Sequence, residues 1–98
     1  MNVSSLITAT GPGANKADAG VGLQFKFLSI RVTSAAPDTV TQLQTSPDNS
    51  AWTTVDTVTG SGWGWASRSA RGRYARANCT VLGTGGAPYS AVVTGNPA

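Results

Sequence analysis

Few groups in this sequence could move a proton. The 98-residue chain contains neither histidine nor glutamate, so acid–base work would fall to Asp18, Asp38, Asp48 and Asp56. Asp38 and Asp48 each adjoin a proline in a segment that reads as a turn, where aspartate is common because it bonds the local backbone. Hydrolytic catalysis is therefore set aside, and the chain is expected not to be an enzyme. Cys79 is the single cysteine, which excludes an intrachain disulfide, and a thiol on a strand reads as a small buried hydrophobe. No His/Cys cluster supports a metal centre; a calcium site through Asp48 and nearby carbonyls is the alternative those residue types leave. The glycines at 60–64 and 83–86 lack the following helix and the Lys-Ser/Thr pair of a phosphate cradle. No cofactor is expected.

Binding chemistry is better represented. Residues 60–72, G-S-G-W-G-W-A-S-R-S-A-R-G, hold four glycines, two tryptophans and two arginines with no clean period. Glycine-rich backbone loses much entropy on ordering, so Trp63 and Trp65 need something to pack on. Tryptophan and arginine are also the types most enriched where binding energy concentrates. Trp63, Trp65, Arg68, Arg71 and Arg76 are accordingly expected to form a contact surface for a shell, a neighbouring subunit or a sugar. The competing expectation is that one tryptophan closes the bottom of the core and the other lies over it. Arg73 and Arg76 flank Tyr74, where an ion pair or stacking on an aromatic would be purely structural. A net charge of +3 is too sparse to imply nucleic acid by itself, and a single-strand binder using Arg68, Arg71, Arg73 and Arg76 with tryptophan stacking is a rival expectation.

The elements that would position these residues read as strands. Low charge with abundant Thr and Val suits β-structure, and 98 residues make one domain, 1–98. Residues 40–58 form the clearest hairpin. Pro47 presets φ for a first turn position, Asp48 can bond its own backbone, and Asn49 tolerates the left-handed conformation. Thr41, Leu43 and Thr45 then face inward on a weakly apolar strand expected near an edge, Val55 and Thr57 alternate with Thr54 and Asp56 on the return, and Trp52 caps the core beside the turn. Residues 3–10 are a strand candidate and 11–20 a loop, so that 1–20 would be an arm plus a first strand. Between 21 and 34 both parities are apolar, which demands a bulge near Phe27–Leu28, with Phe25, Phe27, Ile30 and Val32 inward and Lys26 and Arg31 outward. Residues 73–82 alternate cleanly, Ala75, Ala77, Cys79 and Val81 facing in. Residues 89–94 close the fold. No apolar run reaches the roughly 20 residues of a membrane helix, and the N-terminus lacks the charged and apolar regions of a signal peptide.

Ser46-Pro47-Asp48-Asn49-Ser50-Ala51-Trp52 and Arg73-Tyr74-Ala75-Arg76 resemble the S-x-D-G-x-x-W and R-Y-x-R motifs of discoidin and galactose-binding-like β-sandwiches. Asn49 replaces the usual glycine, and the chain is shorter than those domains and lacks their paired cysteines. At this length it looks like the small virion proteins of tailed bacteriophages, capsid decoration (cement) proteins above all. The resemblance implies an all-β antiparallel β-sandwich, jelly-roll-like, with six to eight short strands. It also implies a non-enzymatic protein, made in the host cytoplasm, that binds the major capsid protein on the outer capsid surface, with itself as partner in a homotrimer. The alternative is a carbohydrate-binding module of a tail or fibre.

Overall fold

The computed structural model describes residues 2–67, 72–85 and 87–97, with Ala14 and Pro97 described by their backbone alone. Among these residues are eight strands: β1 (Asn2–Ile7), β2 (Gly11–Asp18), β3 (Phe25–Thr33), β4 (Val40–Ser46), β5 (Thr53–Thr59), β6 (Gly62–Trp65), β7 (Tyr74–Val81) and β8 (Tyr89–Pro97). They pair antiparallel throughout, in two four-stranded sheets of order β1-β8-β3-β6 and β2-β7-β4-β5. The pairs β4·β5, β3·β6, β2·β7 and β1·β8 are nested around the β4–β5 turn, as when one long hairpin is rolled up on itself. Eight strands so arranged in two sheets make a jelly roll. The antiparallel sandwich expected from the sequence is the fold observed.

The innermost hairpin has the local chemistry its sequence predicts. Asn49 adopts φ 63°, and Asp48 Oδ1 accepts the N–H groups of Ser50 (2.9 Å) and Ala51 (3.0 Å) and the hydroxyl of Ser46 (3.0 Å). The Ala51 and Ser50 N–H groups, with the Ser46 hydroxyl behind them, hold the Asp48 carboxyl below its ordinary value. Thr41, Leu43 and Thr45 are buried as expected. Their strand is not at an edge, however: β4 lies between β7 and β5, and β5 takes the edge. A Thr-rich face survives inside because its hydroxyls are partnered, Thr41 Oγ1 lying 2.7 Å from the Tyr89 hydroxyl. A register shift between Leu43 and Gln44 breaks the alternation expected of β5, and Val58 is its buried residue. Trp52 does not cap the core. It is half-buried outside the core cluster, with the Arg76 guanidinium 4.1 Å from its ring centroid.

Residues 11–18, expected as loop, form β2. Glycine and proline punctuate loops, but they are tolerated on a sheet edge, and β2 pairs β7 on one side only, with a register shift between Pro12 and Lys16. Close approach to β1 explains one of these glycines: a Cβ on Gly13 would lie 2.8 Å from Ser5 Oγ. In β3 the irregularity falls at Lys26, between Phe25 and Phe27, slightly earlier than expected. Phe25, Leu28, Ile30 and Val32 therefore point inward, Lys26 and Arg31 outward, and Phe27 is turned out of the core at 38% exposure. Ala75, Ala77 and Cys79 of β7 are buried as read, whereas Val81, at the last position of its strand, is 47% exposed.

The core lies between the sheets, formed by Phe25, Leu28, Ile30, Val32, Tyr89 and Val93 from one and Ala17, Leu43, Val58, Ala75, Ala77 and Cys79 from the other, among others. Tyr89 spans it from β8 to reach Thr41. Burial, and secondarily a hydrogen bond with Cys79, push the Tyr89 pKa up to about 12. An unfolded tyrosine loses its proton near pH 10, so between these values the folded chain holds a proton that the unfolded chain has lost. Stability should therefore be complete below about pH 10 and fall as pH rises toward about 12. Denaturant midpoints measured at about pH 9 and about pH 11 should show this fall, and Tyr89→Phe should flatten it.

Candidate functional site

The short edge strand β6 presents the two tryptophans. It pairs β3 with Arg31 opposite Trp63 and Ser29 opposite Trp65, so the alternating Gly62 and Gly64 turn toward the core and the indoles away from it. Gly64 lets the strand approach closely: a Cβ there would meet Ile30 Cγ2 at 3.0 Å and Asp56 Oδ2 and Val58 Cγ2 at 3.1 Å. Asp56 Oδ2 accepts the N–H of Trp65 at 2.7 Å from the adjoining β5. That carboxylate occupies a backbone donor that another strand would need for edge pairing.

On the outer face, Trp63 and Trp65 are 57% and 53% exposed. They are not loose. Their rings stack with centroids 6.1 Å apart and planes 13° from parallel. Arg31 Cζ lies 5.1 Å from the Trp63 centroid, and Phe27 meets Trp65 edge-on at 5.4 Å and 69°. Arg31, Trp63, Trp65 and Phe27 thus make one continuous strip across β3 and β6. Ser29, on the same outward face between Phe27 and Arg31, is only 2% exposed beneath its larger neighbours. Cation–π and offset aromatic contacts of this kind are worth about 0.5–1.5 kcal/mol each, enough to restrict the rings to this arrangement.

Only part of the expected contact set comes together here. Trp63 and Trp65 share the strip, whereas Arg76 is on β7 in the other sheet. Arg68 and Arg71 fall outside the described residues. Arg31 and Phe27 complete the strip and were not identified from sequence as contact residues. The available signal was the outward parity of Arg31, but the cross-strand register that places it beside Trp63 belongs to the fold.

The two halves of the resemblance motif form a structural unit. Ser46 and Tyr74 are opposite in the register of β4 and β7, Arg76 lies over Trp52, and Arg73 lies 4.8 Å from the Tyr74 centroid. Arg73 also pairs with Asp18 through Nε (2.8 Å) and Nη2 (3.0 Å), a hydrogen-bonded contact that lowers the Asp18 pKa and raises that of Arg73. Pro47 and Arg73 line an open depression of about 280 Å³ with Gly22, Leu23, Gln24 and Gly72; among these described residues there is no acid–base side chain of the aspartate or histidine kind. Among the described residues no cluster of three or more potential metal ligands occurs.

No family model, curated protein or solved structure matches this chain.

Trp63→Ala and Trp65→Ala should each lower folding stability by about 1 kcal/mol, the loss of surface ring contacts. Leu43→Ala, which empties a fully buried site, should cost about 2–5 kcal/mol. Urea midpoints of the three variants check the ranking.

Proposed function

We propose that this chain is a non-enzymatic structural protein of a tailed-phage virion, a decoration (cement) protein bound to the outer capsid. The observation that carries this reading is the exposed strip of Arg31, Trp63, Trp65 and Phe27, rigid and largely apolar, on the outer face of a small closed sandwich. Aromatic and arginine side chains fixed in this way are the usual anchors of protein interfaces. The paired motif of residues 46–52 and 73–76 adds the resemblance to small virion proteins. Jelly rolls occur in viral capsid and lectin domains, although a fold by itself hosts many functions.

The mechanism would be mechanical. The domain lies across a junction between capsomers, buries the strip against the major capsid protein, and opposes separation of the subunits. Association as a homotrimer at threefold positions would multiply these contacts and cover edge strands that a monomer leaves open. The protein would be made in the host cytoplasm and would function on the outer capsid surface.

The rival reading, a tail or fibre module stacking a sugar on Trp63 or Trp65, is less well supported. Trp63 already has Arg31 and Trp65 against its ring, and Trp65 has Trp63 and Phe27.

Mass spectrometry of purified particles should find the chain in many copies per virion. Shells stripped of it should rebind the wild type, with Trp63→Ala and Trp65→Ala weaker by about 2 kcal/mol, roughly thirtyfold, while their own folding stability falls by only about 1 kcal/mol. Absence from particles, or rebinding of both variants at wild-type affinity, would overturn the assignment.

A further inference from the structure

The outer face of the other sheet carries a cationic pair with no counter-ion among the described residues. Lys16 of β2 and Arg76 of β7 are directly opposite in the register, so their side chains leave the same face, with Cβ atoms about 5 Å apart. Like charges in that relation are destabilising, yet neither forms an ion pair with a described carboxylate. All four aspartates are engaged elsewhere. Asp18 holds Arg73, Asp38 accepts the Thr84 N–H, Asp48 accepts bonds within its turn, and Asp56 accepts the N–H groups of Thr57 and Trp65.

Arg76 is also fixed in position. Its Nε donates to Gln44 Oε1 at 2.8 Å, and its guanidinium lies over Trp52 at 4.1 Å. Gln44 Nε2 is in turn bonded to Gln42 Oε1 (3.3 Å), which also accepts from Asn78 Nδ2 (3.2 Å). A guanidinium immobilised at Nε and over a ring has its two Nη groups left to grip an oxyanion bidentately. Lys16 stands alongside as a second positive charge.

We propose that Arg76 and Lys16 form the carboxylate-binding subsite of an acidic polysaccharide lying across the outer face of the β2-β7-β4-β5 sheet. The surroundings favour this ligand over other polyanions. A single-stranded nucleic acid needs ring faces for its bases, but here Trp52 carries Arg76 and Tyr74 carries Arg73. An acidic protein surface would need an apolar anchor at its centre, whereas the middle of this face is built of amides and hydroxyls. Gln42, Gln44, Asn78 and Thr54 are instead suited to the hydroxyl groups of a hydrated glycan. This site lies on the sheet opposite the tryptophan strip and does not depend on the docking role given to that strip.

The test uses the full chain against three probes at low salt: oligogalacturonate, neutral dextran and a single-stranded oligothymidylate. Oligogalacturonate should bind and dextran should not. Lys16→Gln should weaken binding about tenfold, as for loss of a charge-assisted contact. Lys16→Glu should abolish it with a melting temperature at or above that of the wild type, since Lys16 is exposed and the change replaces a like-charge pair with an opposite-charge one across from Arg76. Arg76→Lys should weaken binding although the charge is kept, and Trp63→Ala, on the other sheet, should bind as wild type. No binding of oligogalacturonate, equal binding of dextran, tighter binding of oligothymidylate, or undiminished binding by Lys16→Glu would each overturn the proposal.

Discussion

The close approach of two four-stranded sheets is the constraint on which the rest of this structure depends. It is permitted by the small inward side chains of β7, Ala75, Ala77 and Cys79, which leave room for Leu28, Ile30 and Val32 from the facing sheet. It is fastened by a polar contact, because Tyr89 crosses the interior and its hydroxyl meets Thr41. A buried hydroxyl without a partner would cost on the order of 1–3 kcal/mol, so the contact with Thr41 contributes to that packing alongside the apolar residues around it. No buried side-chain nitrogen or oxygen of the described residues lacks a hydrogen-bond partner. With the core committed in this way, the two surfaces described above lie on the outer faces of the two sheets.

Those faces differ in kind. One carries an apolar strip of stacked rings ending in Arg31, on an edge strand whose Trp65 N–H is occupied by Asp56. The other carries a bonded lattice of amides and hydroxyls around Arg76, with its aromatic rings covered by guanidinium groups. The first suits a dry contact with protein and the second a hydrated, anionic ligand. A domain held to a shell by the first face would present the second to the surroundings.

Sequence patterns disclosed the parts of this fold that follow from local rules. The Asp48–Asn49 turn, the alternation of β7 through Cys79 and the need for a bulge in β3 all arise from backbone preference and side-chain period. What stayed hidden depends on partners distant in the chain. Residues 11–18 have a loop composition and become a strand because β7 offers an edge. Thr41 and Thr45 look too polar for a central strand until Tyr89 supplies a partner for the former. The candidate site was half legible. Trp63 and Trp65 could be singled out by type, but their exposure, and the roles of Arg31 and Phe27 beside them, follow from the pairing of β3 with β6. Arg76 was grouped with them by proximity in sequence, and the topology puts it on the opposite sheet.

Hydroxyl-radical footprinting read by mass spectrometry, on the free protein and on the same protein added to phage capsids, tests the proposed docking of the strip most directly. The account predicts that Trp63 and Trp65 are oxidised readily in the free protein and protected when bound, while Tyr89 is protected in both states. Protection of both tryptophans in the free protein would return them to the core. Equal oxidation in the two states would remove the strip from the contact.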